Sequence, residues 1–191
     1  MLYRFSPNPT RQWLYFNLWR DGKFSKDMEI GADLGARKMA NRPIFRTKSY
    51  YGVDMDEASL ARGADKYPGA VPVHARLEDF EAWPDSDFVL CVQVFQLMDQ
   101  FDTANTVSIL EGVVNKIRPG GGMLINFGTA NMPFLPDIRA LLNDTFGQVD
   151  EFAPPGGEKT KLSPLIALAA MHTNFGDRLT DKAYFRCLER A

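Results

Sequence analysis

Cysteine is scarce in this chain: Cys91 and Cys187 are the only two among 191 residues. Two thiols so placed give no disulfide framework and no metal-ligand spacing. Cys91 sits in an apolar run and reads as a buried core thiol. Basic runs are missing too, and the formal net charge is −2. A nucleic-acid partner is therefore not expected, because that needs a stripe of cations to neutralise phosphates. No apolar stretch reaches membrane length and no signal peptide is read, so no membrane partner is expected and the cytoplasm is the default compartment. Internal repeats and low-complexity segments are absent. What remains is ordinary for a globular protein, with 45% hydrophobic and 24% charged residues. The length predicts one domain over 1–191, large enough to bury a core. A homodimer is left open.

The chain punctuates itself into strands and helices. Within residues 1–24, Pro9 and Gly22 bound a leading helix with Trp13, Leu14, Phe16, Leu18 and Trp19, which reads as packing against the domain or as a lid over a ligand site. A short first strand is predicted over Ser25–Ile30 and a first helix over Leu34–Asn41, ended by Pro43. Tyr50–Val53 reads as the second strand, and Asp56 can cap a helix to Lys66. Val71–His74 is the third strand, followed by a short helix or turn before Pro84. Phe88-Val89-Leu90-Cys91-Val92 is apolar throughout, as a strand covered on both faces must be. Val107, Leu110, Val114 and Ile117 follow helical spacing, and Pro119-Gly120-Gly121-Gly122 stops that helix. Met123–Phe127 is the next strand, Pro136 opens a helix, and Gln148–Phe152 reads as a strand. Residues 153–161 are a Pro/Gly-rich loop and 164–171 an apolar helix. Ala183–Glu189 alternates, with Ala183, Phe185 and Cys187 on one face and Tyr184, Arg186 and Leu188 on the other.

Alternating strands and helices predict an α/β fold, a parallel sheet covered on both faces. Such sheets hold ligands beyond the carboxyl ends of their strands, where the strand order reverses. The stretch from Met28 to Asp54 organises this expectation. It reads as strand, glycine-bearing turn, helix and second strand, with Asp54 about 20 residues after Gly31, the spacing between a nucleotide turn and its ribose acid. Asp54 can also be read as a helix cap or a surface acid.

The order of features resembles the class I S-adenosylmethionine-dependent methyltransferases, over about Met28 to Phe127 and loosely at the last strand. Glu29-Ile30-Gly31-Ala32-Asp33-Leu34-Gly35 looks like the family's acidic-x-Gly-x-Gly-x-Gly turn, with Asp33 in place of the middle glycine. Asp54 stands where the family has its ribose carboxylate. Lys116-Ile117-Arg118-Pro119-Gly120-Gly121-Gly122 is similar to the family's helix-to-strand turn, and Asp85–Leu90 to the lead into its fourth strand. The resemblance implies a three-layer αβα sandwich, with a Rossmann-like seven-stranded, mostly parallel sheet whose last strand is antiparallel. Residues 25–130 would form the cofactor half and 131–191 the substrate half.

It also implies S-adenosyl-L-methionine as cofactor. Glu29, Gly31, Ala32, Asp33 and Gly35 would form the first turn of its site, with Gly31 giving close backbone approach and Glu29 facing the ammonium group. Asp54 and Met55 would meet the ribose, and Arg76, Leu77 and Glu78 the adenine, with Gln93 after the fourth strand. Arg76 stands where the family's adenine acid is expected.

For the acceptor, Val92-Gln93-Val94-Phe95 lacks the Pro-Pro-aromatic pattern of base-amino methylases, and neither cysteine follows a proline as in cytosine-carbon methylases. A small-molecule or sugar acceptor, methylated at oxygen, is the expectation. His172 is the candidate base and His74 reads as structural. Gln93 and Gln96 read as substrate-orienting amides or as exposed loop residues. Two other readings are weighed: a catalytically silent relative that binds partners, and a nicotinamide-dependent oxidoreductase. The second is disfavoured because Gly31–Gly35 lacks the third glycine of G-x-G-x-x-G.

Overall fold

The computed structural model describes residues 28–92, 94–95, 103–128, 134–152 and 182–191. The predicted leading helix, the loop at 153–161 and the apolar helix at 164–171 lie outside the described residues. In chain order the elements are β1 (Ile30–Leu34), β2 (Ser49–Asp54), α1 (Glu57–Lys66), β3 (Ala70–His74) and β4 (Ser86–Cys91). They continue with α2 (Thr103–Asn115), β5 (Ile117–Gly128), α3 (Leu135–Thr145), β6 (Phe146–Phe152) and β7 (Lys182–Arg190). Short 3-10 turns cover Arg42–Ile44 and Phe80–Ala82.

The strands make one seven-stranded sheet in the order β3-β2-β1-β4-β5-β7-β6. β1 pairs in parallel with β2 and β4, β2 with β3, and β4 with β5. β7 runs antiparallel between β5 and β6. The expected mostly parallel sheet with an antiparallel last strand is therefore observed.

Two apolar clusters cover the two faces. On one, Leu110, Val113 and Val114 of α2 and Ile138 and Leu142 of α3 pack on Val89, Cys91, Met123 and Ile125. On the other, Leu60 of α1 joins Ala36, Met39, Ile44 and Phe45 over Phe88, Leu90 and Leu124. Burial on both faces is why β4 has no polar alternation. β7 divides as its sequence predicts: Ala183, Phe185 and Cys187 enter the first cluster, Tyr184 and Leu188 the second. Both cysteines are buried in the core, and burial pushes their thiols up, so they are packing residues.

Asp56 caps α1, its carboxylate accepting from the Ser59 amide at 2.9 Å and the Ser59 hydroxyl at 2.6 Å. Those two bonds hold the Asp56 carboxyl below the usual carboxylate range.

Three local expectations fail. The first strand is Ile30–Leu34, with Gly31–Leu34 all buried, and the predicted positions 25–27 lie outside the described residues. No α-helix follows it: Arg37 and Met39 have φ of 46° and 51°, which no right-handed helix contains. Ala-Arg-Lys-Met-Ala favours helix by composition. Burial of Met39 decides otherwise, for it is fully inside, against Gly52 and Gly63. Side chains on those two glycines would meet Met39 atoms at 2.9 and 2.7 Å. The third failure is at Pro119–Gly122, which is part of β5 rather than only a helix stop. The ladder pairs Ser86 with Ile117 and then Phe88 with Gly122, so this segment is a bulge. Gly120 takes φ 77° within it.

Gly112 of α2 faces the Phe80 ring so closely that an added Cβ would lie 2.1 Å from Phe80 Cζ. Gly112→Ala should destabilise the protein by roughly 1–2 kcal/mol, overpacking outweighing the gain in helix propensity. Urea denaturation checks this; a higher midpoint would show that Phe80 swings aside at little cost.

Candidate functional site

The carboxyl ends of β1, β2 and β3 lie side by side at Leu34, Asp54 and His74. The strand order turns back between β1 and β4, which places the ligand crevice at this edge. The chain leaves β1 at Gly35, whose φ is 71°. A Cβ there would meet Val94 Cγ2 at 2.6 Å, so the segment after β4 presses on the turn after β1.

The turn is held by the end of β2. The Gly35 and Ala36 amides both donate to the Val53 carbonyl, at 2.9 and 3.1 Å. The Arg37 amide donates to Asp54 Oδ2 at 2.9 Å, and the Asp56 amide to Asp54 Oδ1 at 2.8 Å. Each Asp54 oxygen thus accepts one N–H and keeps acceptor capacity for a further donor.

Beyond β3 the Arg76 guanidinium donates twice to Glu78 Oε1, at 3.0 and 2.7 Å, and the Arg76 amide to Asp79 Oδ2 at 3.0 Å. Leu77 packs half-buried against the core between them. His74 Nε2 lies 3.1 Å from the Met55 carbonyl, and the Met55 side chain is exposed. His74 closes the edge between β2 and β3, in keeping with a structural part.

Gly35, Asp54, Met55, Arg76, Leu77 and Glu78 therefore share one edge. Gln93 and His172 lie outside the described residues. Four expected site residues are elsewhere. Glu29 precedes β1 at the opposite end of the sheet, about 16 Å from Leu34 at strand rise, and is ion-paired with Lys48. It cannot face a cofactor ammonium in this crevice. Gly31 lies inside β1, and a Cβ on it would meet Phe45 Cδ1 at 2.5 Å and Thr47 Oγ1 at 2.8 Å. Its missing side chain makes room for protein, not for a ligand. Ala32 is fully buried in the core beneath α2.

Asp33 is also fully buried. Its Oδ2 accepts from the Tyr50 hydroxyl at 2.7 Å and its Oδ1 from the Asn41 amide at 3.2 Å. Burial first, then the Asp33 charge and hydrogen bond, push the Tyr50 phenol up, so it stays a neutral donor.

The strand position explains these four misplacements together. The acidic-x-Gly signature is met by Asp33-Leu34-Gly35, four residues after the first frame. The two later glycine positions then fall on Arg37 and Met39, and both adopt positive φ without being glycine. Arg37 is the residue that sequence reasoning missed. Choosing the later acid-x-Gly frame would have found it.

No protein-family model and no curated protein matches this sequence. Among solved structures, the N-methyltransferase NodS from Bradyrhizobium japonicum WM9 superposes with a TM-score of 0.68 at 14% identity, over 96% of this chain and 98% of that one. This chain has the class I methyltransferase fold. Magnesium protoporphyrin IX methyltransferase from Synechocystis PCC 6803, solved with bound S-adenosylmethionine, is similar at TM-score 0.63 and 14% identity, over 96% and 79% of the two chains. An rRNA methylase from Streptococcus thermophilus is similar at 0.60 and 10% over the whole of both. At such identities the methyltransferase fold is what is shared, and these three differ in acceptor. Among the described residues no helix is long and apolar enough to cross a membrane, and no cluster of His, Cys, Asp and Glu could hold a metal ion.

Tyr50→Phe removes one donor from the buried Asp33 carboxylate and should cost about 1–3 kcal/mol of stability. Chemical denaturation at neutral pH measures it. A loss below about 0.5 kcal/mol, the scale of an unremarkable surface change, would mean the other partners of Asp33 suffice.

Proposed function

We propose that this chain is an S-adenosylmethionine-dependent methyltransferase whose acceptor is a small molecule or a sugar. One observation carries the reading. Asp54 ends β2, one strand from the switch point between β1 and β4, tied to the turn after β1, with acceptor capacity left on both oxygens. A ribose diol offers two adjacent hydroxyl donors, and a carboxylate matches them. The residues at this edge fit the cofactor there. Asp54 would hold the ribose, the Gly35 turn would border the amino-acid tail, and Leu77 would offer an apolar wall to the adenine.

When bound, the cofactor supplies an electrophilic methyl group on a sulfonium. The chain's part is to position and enclose. Alignment of the reacting groups can supply about 7–11 kcal/mol at best, so a site without a strong base can still be effective. The preference for a small hydroxyl acceptor rests on the net charge of −2 and on Val92-Gln93-Val94-Phe95, which lacks the base-amino pattern. His172 remains the proposed base. Two buried thiols with no disulfide partner suit the reducing cytoplasm.

A second reading has its own support. Arg37 and Met39 occupy glycine positions, and no α-helix follows β1 to aim its N–H groups at a ligand. A silent relative that binds partners would have these traits.

Calorimetric titration with S-adenosylmethionine, S-adenosylhomocysteine and NAD separates the readings. Binding of the first two is expected. Binding of none selects the silent relative, and binding of NAD alone selects an oxidoreductase. Asp54→Asn should weaken S-adenosylhomocysteine by tenfold or more, since a hydrogen bond to a charged group is worth roughly 1.5–3 kcal/mol. Unchanged affinity in a folded Asp54→Asn protein would remove Asp54 from the site.

A further inference from the structure

The turn after β1 has an unusual division of labour between backbone and side chain. Three amides in a row, those of Gly35, Ala36 and Arg37, are taken by the Val53 carbonyl and the Asp54 carboxylate. These three amides, facing inward to their own sheet, are not available to an anion beyond the strand end. At the same place Arg37 is exposed and adopts φ 46°, a conformation in which side chains other than glycine are strained. Its charge is felt by the nearby Asp56 carboxyl, but among the described residues no salt bridge holds its guanidinium. The other arginine at this edge, Arg76, is neutralised by Glu78. Lys38 is also exposed, but its backbone packs toward α1, where its carbonyl carbon would lie 2.9 Å from a Cβ on Gly63.

We propose that Arg37 is a binding residue: its guanidinium takes the α-carboxylate of the cofactor's amino-acid tail, in place of the amides that the end of β2 has engaged. The assignment rests on the reading of the crevice as an S-adenosylmethionine site. It follows from chemistry present at the turn. The tail carries a carboxylate, guanidinium is the side chain best shaped for bidentate contact with one, and Asp54 fixes the backbone from which Arg37 projects.

The experiment compares two ligands that share the adenosyl thioether. S-adenosylhomocysteine has the amino-acid tail, and 5′-methylthioadenosine does not. Calorimetry on the wild-type chain is expected to show tighter binding of S-adenosylhomocysteine. Arg37→Gly suits the left-handed backbone, so a lost contact is not confused with a lost fold, and the melting temperature reports on the latter. The variant should bind S-adenosylhomocysteine about tenfold more weakly, the effect of one charge-assisted contact, and bind methylthioadenosine as before. Lys38→Ala should leave both affinities unchanged. If Arg37→Gly leaves the ratio of the two affinities at its wild-type value, or if Lys38→Ala lowers that ratio as far as Arg37→Gly does, the assignment to Arg37 is overturned. If the wild-type chain binds neither ligand, the cofactor reading fails, a result distinct from an unchanged ratio.

Discussion

The end of β2 holds the rest of the site in place. One carbonyl, on Val53, and one carboxylate, on Asp54, receive the first three amides of the chain leaving β1. A short turn without a helix would otherwise be free to sample many conformations, at a cost of about 1–2 kcal/mol per residue fixed. Here β2 supplies the order that a helix would supply elsewhere. The same carboxylate then receives the Asp56 amide, where α1 begins. Crevice, turn and first helix thus share one anchoring group, and the sheet register of β1 with β2 sets where that group stands.

This arrangement changes what the fold can do at its carboxyl edge. In a Rossmann-like sheet, the helix after the first strand usually lends its N-terminal amides to a ligand. This chain has turned those donors inward. Under the proposed function, recognition of a charged tail would fall to side chains, which are longer and more selective than amides but lose more freedom on binding. Under the same proposal, the ribose end would keep the usual logic of a carboxylate facing a diol, and the tail end would be rebuilt.

Much of the fold was legible in the sequence. The apolar run at β4 and the alternating pattern at β7 announced their burial, and Asp56 announced the start of α1. The place of Asp54 at the end of the second strand was legible, because Tyr50–Val53 marks that strand and Asp56 the helix after it. The four misplaced site residues all came from one frame. Glu29-x-Gly31 and Asp33-x-Gly35 are the same pattern, and only the strand end tells them apart. That end depends on Phe45 and Thr47 filling the space beside Gly31, and on Tyr50 and Asn41 reaching Asp33. Those are contacts between residues distant in sequence, which no local pattern encodes. The absent helix was hidden for a similar reason, since Met39 answers to two glycines on other elements and not to its neighbours in the chain.

Met39, Gly52 and Gly63 fill a single small volume between the turn, β2 and α1. None of the three can be altered in isolation: bulk gained at one must be surrendered at another. Descendants of this sequence should therefore drift at these positions as a group, with a shorter residue at the first wherever either glycine has acquired a methyl. The left-handed backbone at position 39 would lose its reason to persist in such lineages, and a regular helix could reappear after the first strand.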